Sequence, residues 1–308
     1  MNKLFFALIV LGISTAHAAS ELDIAIDNVR RNCGNISSEL NHIKTMAGIN
    51  TAVTAVGTVT GGVGLATGLA KTSVDSEIEQ LEKEIEELKK SRGDVPIEHL
   101  EIEDEALFKR QVAEFIASYQ VKEQELSAAE KKSKTLGNVR TGMLATSTAT
   151  NIAGTVIAAN NRVDSDLHTK INACKLSVRE LSNARMQARV AQTADDAQLS
   201  YAERIVTACG AWDMVDISSI NKKSTGAAVS SGVGAAFGLA GTITSASANS
   251  QSVRDGDADK EKNLNNAANV LAGGATGASA VAVVFNATQI NAIKRAANAA
   301  DECEGALK

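Results

Sequence analysis

The side chains with the greatest capacity for chemistry in this sequence are four cysteines, Cys33, Cys174, Cys209 and Cys303. None of them belongs to a Cys-x-x-Cys pair, and none has a histidine at the spacing that zinc sites use. The pattern therefore favours disulfides over a metal centre or a redox-active dithiol, and we predict no metal and no cofactor. An even number of cysteines is typical of chains that fold in an oxidising compartment.

The first residues of the chain predict export to such a compartment. Lys3 precedes an apolar run, Leu4 to Thr15, and Ala16-His17-Ala18 has the small-x-small pattern of a signal-peptidase site. We expect residues 1–18 to be a signal peptide of a bacterial envelope protein. The exported chain would be periplasmic or secreted.

Catalytic patterns are missing from the rest of the sequence. The histidines after the signal peptide, His42, His99 and His168, are far apart and belong to no recognisable acid–base arrangement. The sequence contains no GxSxG, HExxH or Walker pattern, and its glycine clusters lie inside helix-like runs rather than after strands. We therefore expect a protein that is not an enzyme.

One acidic segment resembles the start of a calcium-binding loop, because Asp255, Asp257 and Asp259 alternate along it. An EF-hand needs glycine where Lys260 stands and glutamate where Asn266 stands. We therefore interpret this segment as a polar turn between two helices.

Composition indicates the fold class. The chain has one proline and 23 glycines among 308 residues, and only 3% of its residues are aromatic. Few residues force a helix to break, so we predict an all-α protein. The formal net charge of −5 argues against nucleic acid as a partner, because such proteins need a basic surface.

The sequence contains one diverged internal repeat. Residues 62–70 read GVGLATGLA and residues 232–240 read GVGAAFGLA. A Cys-Gly pair lies upstream of each motif, and a lysine-rich entry followed by a cysteine lies downstream of each. We interpret the copies as two tandem antiparallel helical hairpins, residues 19–174 and 209–308, joined by a helical linker at 175–208.

Equal arm lengths predict which cysteines pair. In each copy, about forty residues separate the first cysteine from the hairpin turn, and about forty more lead back to the last cysteine. The two cysteines of each copy should therefore meet at the open end of the hairpin. This predicts the bridges Cys33–Cys174 and Cys209–Cys303.

The first copy contains an insertion at residues 74–132 that has the pattern of a coiled coil. Val74, Ile78, Leu81, Ile85 and Leu88 follow a 4-3-4-3 spacing with charged residues between them. A similar apolar series, Phe108, Val112, Phe115, Tyr119 and Leu126, returns after the break at Pro96. We predict an antiparallel coiled-coil hairpin that projects from the first repeat. It is either a solvated stalk that packs only on itself or a projection that meets an unidentified protein partner through its acidic tip, Pro96 to Glu105.

The hairpin arms contain four uncharged stretches, Thr51–Ala70, Thr141–Asn161, Ser224–Val253 and Asn263–Ile293. Gly57, Gly61, Gly64 and Gly68 recur along one face of the first stretch with a 4-3-4 spacing, as in a glycine zipper, where small residues let helices approach closely. The glycines that we assign to helix packing are Gly57, Gly61, Gly64, Gly68, Gly232, Gly234 and Gly238.

These stretches leave two functions open. Each is long enough to cross a bilayer, but each is diluted by Thr, Ser, Asn and Gly. The favoured hypothesis is an exported helical scaffold, joined by disulfides, that presents its coiled coil. The alternative is a membrane-inserting glycine-zipper protein, a channel or toxin-like module. Either form could associate into oligomers.

Overall fold

The structure is a computed structural model that describes residues 20–93, 105–254 and 258–308. Every regular element in these ranges is a helix, which confirms the predicted all-α class. The predicted signal peptide, most of the acidic coiled-coil tip and His99 lie outside the described residues. Asp255 and Asp257 of the calcium-like segment lie outside them too.

The chain forms eight α-helices within the described ranges: α1 (Glu21–Cys33), α2 (Ile36–Gly93), α3 (Glu105–Asn160), α4 (Ser165–Ala191), α5 (Asp196–Cys209), α6 (Ile217–Ala248), α7 (Gln251–Arg254) and α8 (Ala258–Leu307). A 3₁₀ helix, Gly210–Met214, lies between α5 and α6. The longest helices, α2 and α3, have 58 and 56 residues.

Local sequence signals explain the ends of the shorter helices. At the start of α1, the Ser20 hydroxyl accepts the amide hydrogen of Asp23 at 3.1 Å, and the Asp23 carboxylate accepts the amide hydrogen of Ser20. This reciprocal capping satisfies two amide groups that have no partner within the helix. After α1, Asn35 has a left-handed backbone with φ of 65°, and the chain turns there into α2.

The return arm of the first repeat differs from the continuous helix expected between Lys134 and Cys174. It is divided, because α3 ends at Asn160 and α4 begins at Ser165. The Asp164 carboxylate accepts the amide hydrogen of Leu167 at 2.7 Å and so starts a new helix. Cys174 therefore lies within α4, and the predicted linker consists of the rest of α4 together with α5.

The helices form two compact units that do not follow the order of the predicted repeats. Unit 1 contains residues up to Thr51, Val156–Ala228 and Val284–Lys308. Unit 2 contains Ala52–Thr155 and Val229–Val283. Each unit draws segments from both sequence copies, because α2, α3, α6 and α8 are long enough to contribute to both.

Unit 1 has a conventional hydrophobic core that contains both disulfides. Leu22, Leu40, Ile171, Ile205 and Trp212 are among its buried side chains. Trp212 packs here, in the role of a core anchor. The bridges are Cys33–Cys174, between α1 and α4, and Cys209–Cys303, between α5 and α8. They are the two pairings that the arm lengths predict.

Unit 2 includes the base of the coiled coil. Val74, Leu81 and Ala129 are buried together between α2 and α3, as the 4-3-4-3 spacing requires. Lys122 forms a 2.9 Å ion pair with Glu84 across the two helices. The hydrogen bond from Lys122 lowers the pKa of Glu84 from its ordinary value. The apolar series of the returning helix α3 is only partly buried, since Val112 is exposed.

We predict that removing the Cys33–Cys174 bridge destabilises unit 1 strongly. This bridge joins residues 141 positions apart, and closing a loop of that length contributes on the order of 4 kcal/mol in the chain-entropy model. The double substitution Cys33→Ser/Cys174→Ser should lower the free energy of unfolding by that amount. Urea denaturation followed by fluorescence of Trp212, which lies in the same core, measures the change. A urea unfolding curve with the midpoint and slope of the wild-type protein would contradict the prediction.

Candidate functional site: the uncharged bundle of unit 2

The most distinctive region of unit 2 is formed by four uncharged helical stretches. These are residues 52–70 of α2, 141–155 of α3, 229–248 of α6 and 263–283 of α8. No Asp, Glu, Lys or Arg occurs in any of them. The longer stretches, of about twenty residues, extend about 30 Å as helices, which matches the hydrocarbon thickness of a bilayer.

The inward faces of these stretches are polar and small. The buried polar side chains of the bundle are Thr54, Ser147, Thr148, Asn151, Ser231, Ser245, Asn265 and Ser279. The Ser147 hydroxyl donates to the carbonyl oxygen of Gly57 at 2.9 Å, and the Ser279 hydroxyl contacts the Asn151 side-chain oxygen at 2.9 Å. Among larger apolar side chains in these four stretches, Leu144 is the fully buried one.

The predicted packing glycines permit this close approach. A Cβ atom built at Gly61 would lie 2.8 Å from Thr276 Oγ1 and 3.1 Å from Ser147 Oγ. A Cβ atom at Gly57 would lie 2.8 Å from Thr150 Oγ1, and one at Gly238 would lie 2.6 Å from Thr148 Oγ1. No side chain fits at these positions unless its neighbour moves.

The other predicted glycines divide into two groups. Added Cβ atoms at Gly64, Gly68 and Gly234 would also crowd neighbouring side chains, namely those of Leu144, Arg140 and Asn151. Gly232 differs, because a Cβ atom there would meet only Thr155, at the ordinary contact distance of 3.8 Å. The packing at Gly232 would therefore tolerate a Cβ atom, unlike that at the other six positions. The sequence argument also missed Gly137, Gly241 and Gly274, which have close neighbours.

The outward faces of the bundle carry its large apolar side chains. Val59 is 64% exposed and Val270 is 75% exposed, although both lie within helices that have buried faces. The exposed large apolar residues of the four stretches are Val56, Val59, Val63, Leu69, Ile152, Val229, Val233, Phe237, Leu239, Ile243, Val270 and Val281. They occur on all four helices.

Hydroxyl groups near this surface are satisfied within their own helices. The Thr60 hydroxyl donates to the carbonyl oxygen of Val56 at 2.8 Å, and that of Thr67 donates to Val63 at 2.9 Å. Thr146 is exposed, and its hydroxyl donates to Gly142 at 3.0 Å. A threonine that bonds to the carbonyl four residues earlier needs no water, so it tolerates an apolar environment.

A compact charged cluster lies where the uncharged stretches end. Lys71 is 1% exposed and forms ion pairs with Asp75 at 2.6 Å and Glu261 at 2.8 Å. Arg140 is fully buried and donates to Ser245 at 2.9 Å and to Asn265 at 2.8 Å. Two cations therefore face two carboxylates, and this neutral balance makes the burial tolerable. The sequence argument did not identify this cluster, although Lys71 and Arg140 directly flank uncharged stretches.

The histidines and the acidic residues of the calcium-like segment do not form a cluster within the described part of the chain. His42 and His168 are exposed on α2 and α4. Asp259 and Glu261 belong to α8, and Glu261 forms an ion pair with Lys71.

No protein-family model matches this chain, and neither the curated proteins nor the solved structures give a match. Within the described residues, three helical stretches are long and apolar enough to cross a membrane. They include the α2, α6 and α8 parts of the bundle.

We predict that two adjacent glycines respond oppositely to the same substitution. Gly61→Ala should destabilise the bundle by about 1–2 kcal/mol, because the added methyl group overlaps two hydroxyl oxygens that are already hydrogen-bonded. Gly62→Ala should stabilise it by about 0.5–1 kcal/mol, since alanine favours the helix and the methyl group meets nothing closer than 4.0 Å. Thermal unfolding followed by circular dichroism measures both. Equal changes in thermal stability at the two positions would contradict the close contact of Gly61 with Thr276 and Ser147.

Proposed function

We propose that this chain is an exported, non-enzymatic membrane protein whose uncharged bundle lies in a bilayer as a sealed anchor. We propose further that its coiled coil meets a protein partner. The observation that carries the proposal is the reversed polarity of unit 2. In its uncharged bundle the buried side chains are mostly small or polar, and apart from the buried Leu144 the large apolar side chains lie mainly on the outward faces.

Water-soluble bundles have the opposite arrangement. Their interiors are filled by large apolar side chains, and their surfaces carry charges as about a quarter or more of the residues. Here the interior is built from Gly, Ala, Ser, Thr and Asn, and the outward faces of the four stretches carry no charge. Helices in lipid associate through small residues and interhelical hydrogen bonds, because lipid provides no hydrophobic force between helices.

The charged cluster supports the same interpretation. Lys71, Arg140, Asp75 and Glu261 lie at the ends of the uncharged stretches rather than among them. Ionisable groups in bilayer proteins find polar partners and avoid lipid. Lys71 pairs with Asp75 and Glu261, and Arg140 donates to Ser245 and Asn265. The pairing also fixes the relative positions of α2, α3 and α8 within the bundle.

Packing on the bundle axis supports an anchor over an open channel. At Gly57, Gly61 and Gly238, side chains of the facing helices fill the space where a Cβ atom would lie. Asn151 contacts Ser147 and Ser279 in the interior. Such close contact at these positions favours a closed interior, so we expect insertion without leakage.

The coiled coil supplies the scaffold part of the proposal. Its two helices pack on each other through Val74 and Leu81, and Lys89 lies 5.7 Å from the ring centre of Tyr119. Ile116 and Val121 point away from this seam and are exposed. Exposed apolar residues on a charged, self-paired stalk favour contact with another protein.

We predict that one charge on the outward face prevents membrane insertion. Val59 lies near the middle of its uncharged stretch, where a lysine costs about 2.5–3.5 kcal/mol on translocon-insertion scales. Val59→Lys should therefore shift the protein from the floating liposome fraction, and from the carbonate-resistant pellet, to the soluble or aggregated fraction. The wild-type protein should insert and retain an encapsulated dye.

Val121→Lys is the matched control for this experiment. Val121 is 51% exposed, but it belongs to the coiled coil rather than to the uncharged stretches. This variant should insert as the wild type does. Release of a monodisperse wild-type protein into the carbonate supernatant would reject the membrane anchor. Insertion accompanied by dye release would retain the membrane location and reject the sealed bundle.

We predict that the coiled coil contacts a protein in the cell. A photo-crosslinking amino acid at Ile116 should yield a discrete crosslinked species on a denaturing gel. The same amino acid at Val190, which is 87% exposed on α4, should not. Equal crosslinking at the two positions would mean that exposure alone accounts for capture, and it would contradict a specific role for the coiled coil.

A further inference from the structure

The two disulfides of unit 1 lie beside each other. The sulfur atoms of Cys33, Cys174 and Cys303 are all within 4.8 Å of one another. Cys33 and Cys174 form one bridge, and Cys303 belongs to the other. A sulfur of the second bridge therefore lies close to both sulfurs of the first.

This grouping brings three helices together at one point. Cys33 ends α1, Cys174 lies within α4, and Cys303 lies near the end of α8. All three side chains are buried in the same hydrophobic core. Cys209, the partner of Cys303, is not in the group of three. The two bridges are therefore not equivalent, and Cys303 is the cysteine that can reach either partner.

We propose that Cys303 is an internal exchange cysteine that transfers between the two bridges. Cys303 lies beside the Cys33–Cys174 bond, within 4.8 Å of both sulfurs, so once it is released from Cys209 a rotation of its side chain is needed to bring the thiolate in line with either sulfur. The covalent connection of α8 then passes from α5 to α1 or α4. This proposal concerns unit 1 alone and does not depend on the membrane role of unit 2.

The exchange is balanced in atoms and electrons. A dithiol reductant first gives two electrons to the Cys209–Cys303 bridge and becomes a disulfide, leaving two thiols in the protein. The Cys303 thiolate then forms a bond to one sulfur of Cys33–Cys174 as that bridge breaks. The departing sulfur leaves as a thiolate and takes up a proton, so the exchange step itself has no net oxidation or reduction.

The variant Cys209→Ser tests this step without any reductant, since it leaves Cys303 with no original partner. The full-length protein is purified, its thiols are alkylated under acid quench, and a non-reducing peptide map is recorded on the monomer. We expect Cys303 to be joined to Cys33 or Cys174 in part of the molecules, with the matching free thiol alkylated.

Cys303→Ser is the matched control. It removes the sulfur that lies near both members of the other bridge, so the map should show Cys33–Cys174 and alkylated Cys209. If Cys209→Ser instead yields an intact Cys33–Cys174 bridge with Cys303 alone alkylated, the proposal is wrong.

A second measurement applies if Cys209→Ser does not fold. Wild-type protein is treated with a limiting amount of dithiothreitol, quenched with acid and mapped. One-bridge molecules in which Cys303 is joined to Cys33 or Cys174 support the exchange. One-bridge molecules that contain only the two original pairings overturn it.

Discussion

Close approach of helices in unit 2 is the constraint on which the rest of that unit depends. At Gly57, Gly61 and Gly238, the facing helix places a side-chain oxygen where a Cβ atom would be. An interior this narrow has little volume for large side chains, and Leu144 is the large apolar residue that is fully buried within the four stretches. Large apolar side chains must therefore lie on the outward faces, and the sequence provides them there on every helix. Reversed polarity is thus a consequence of packing distance.

Close approach also decides how polar groups are satisfied. An interior of serine, threonine and asparagine is stabilised where its polar atoms find partners, because no bulk water reaches it. Ser147 bonds to the backbone of Gly57, and the exposed Thr146 bonds to its own helix. Threonine hydroxyls on the outward faces bond to carbonyl groups of their own helices, so few of them need water. A bilayer and a bundle interior without water thus have the same requirement, namely that polar groups form their hydrogen bonds within the protein.

Much of this arrangement could be predicted from the sequence, and the reasons differ between features. Helical class, the coiled-coil seam at Val74 and Leu81, and the cysteine pairing follow from local periodicity and equal spacing, which a single chain records directly. The break at Asn160 could not be predicted, because it depends on capping by Asp164 and on Asn221, a distant residue that bonds to the backbone of Val163. Gly232 shares the repeat motif with Gly62, and a motif does not state which glycine faces a neighbour.

The two units solve the same problem of stability by different means. Unit 1 buries Leu22, Ile171 and Trp212 in an apolar core, and it adds two covalent connections there. Unit 2 has few large side chains to bury, so area-based hydrophobic stabilisation contributes little to its uncharged bundle. Its helices must be held by contact between small residues, by interhelical hydrogen bonds and by the Lys71 ion pairs. These forces are adequate where lipid surrounds the helices, since the competing interaction with water is removed there. The disulfides and large core side chains are thus concentrated in unit 1, and small residues in the uncharged bundle of unit 2, which is the division that the proposed membrane anchor would need.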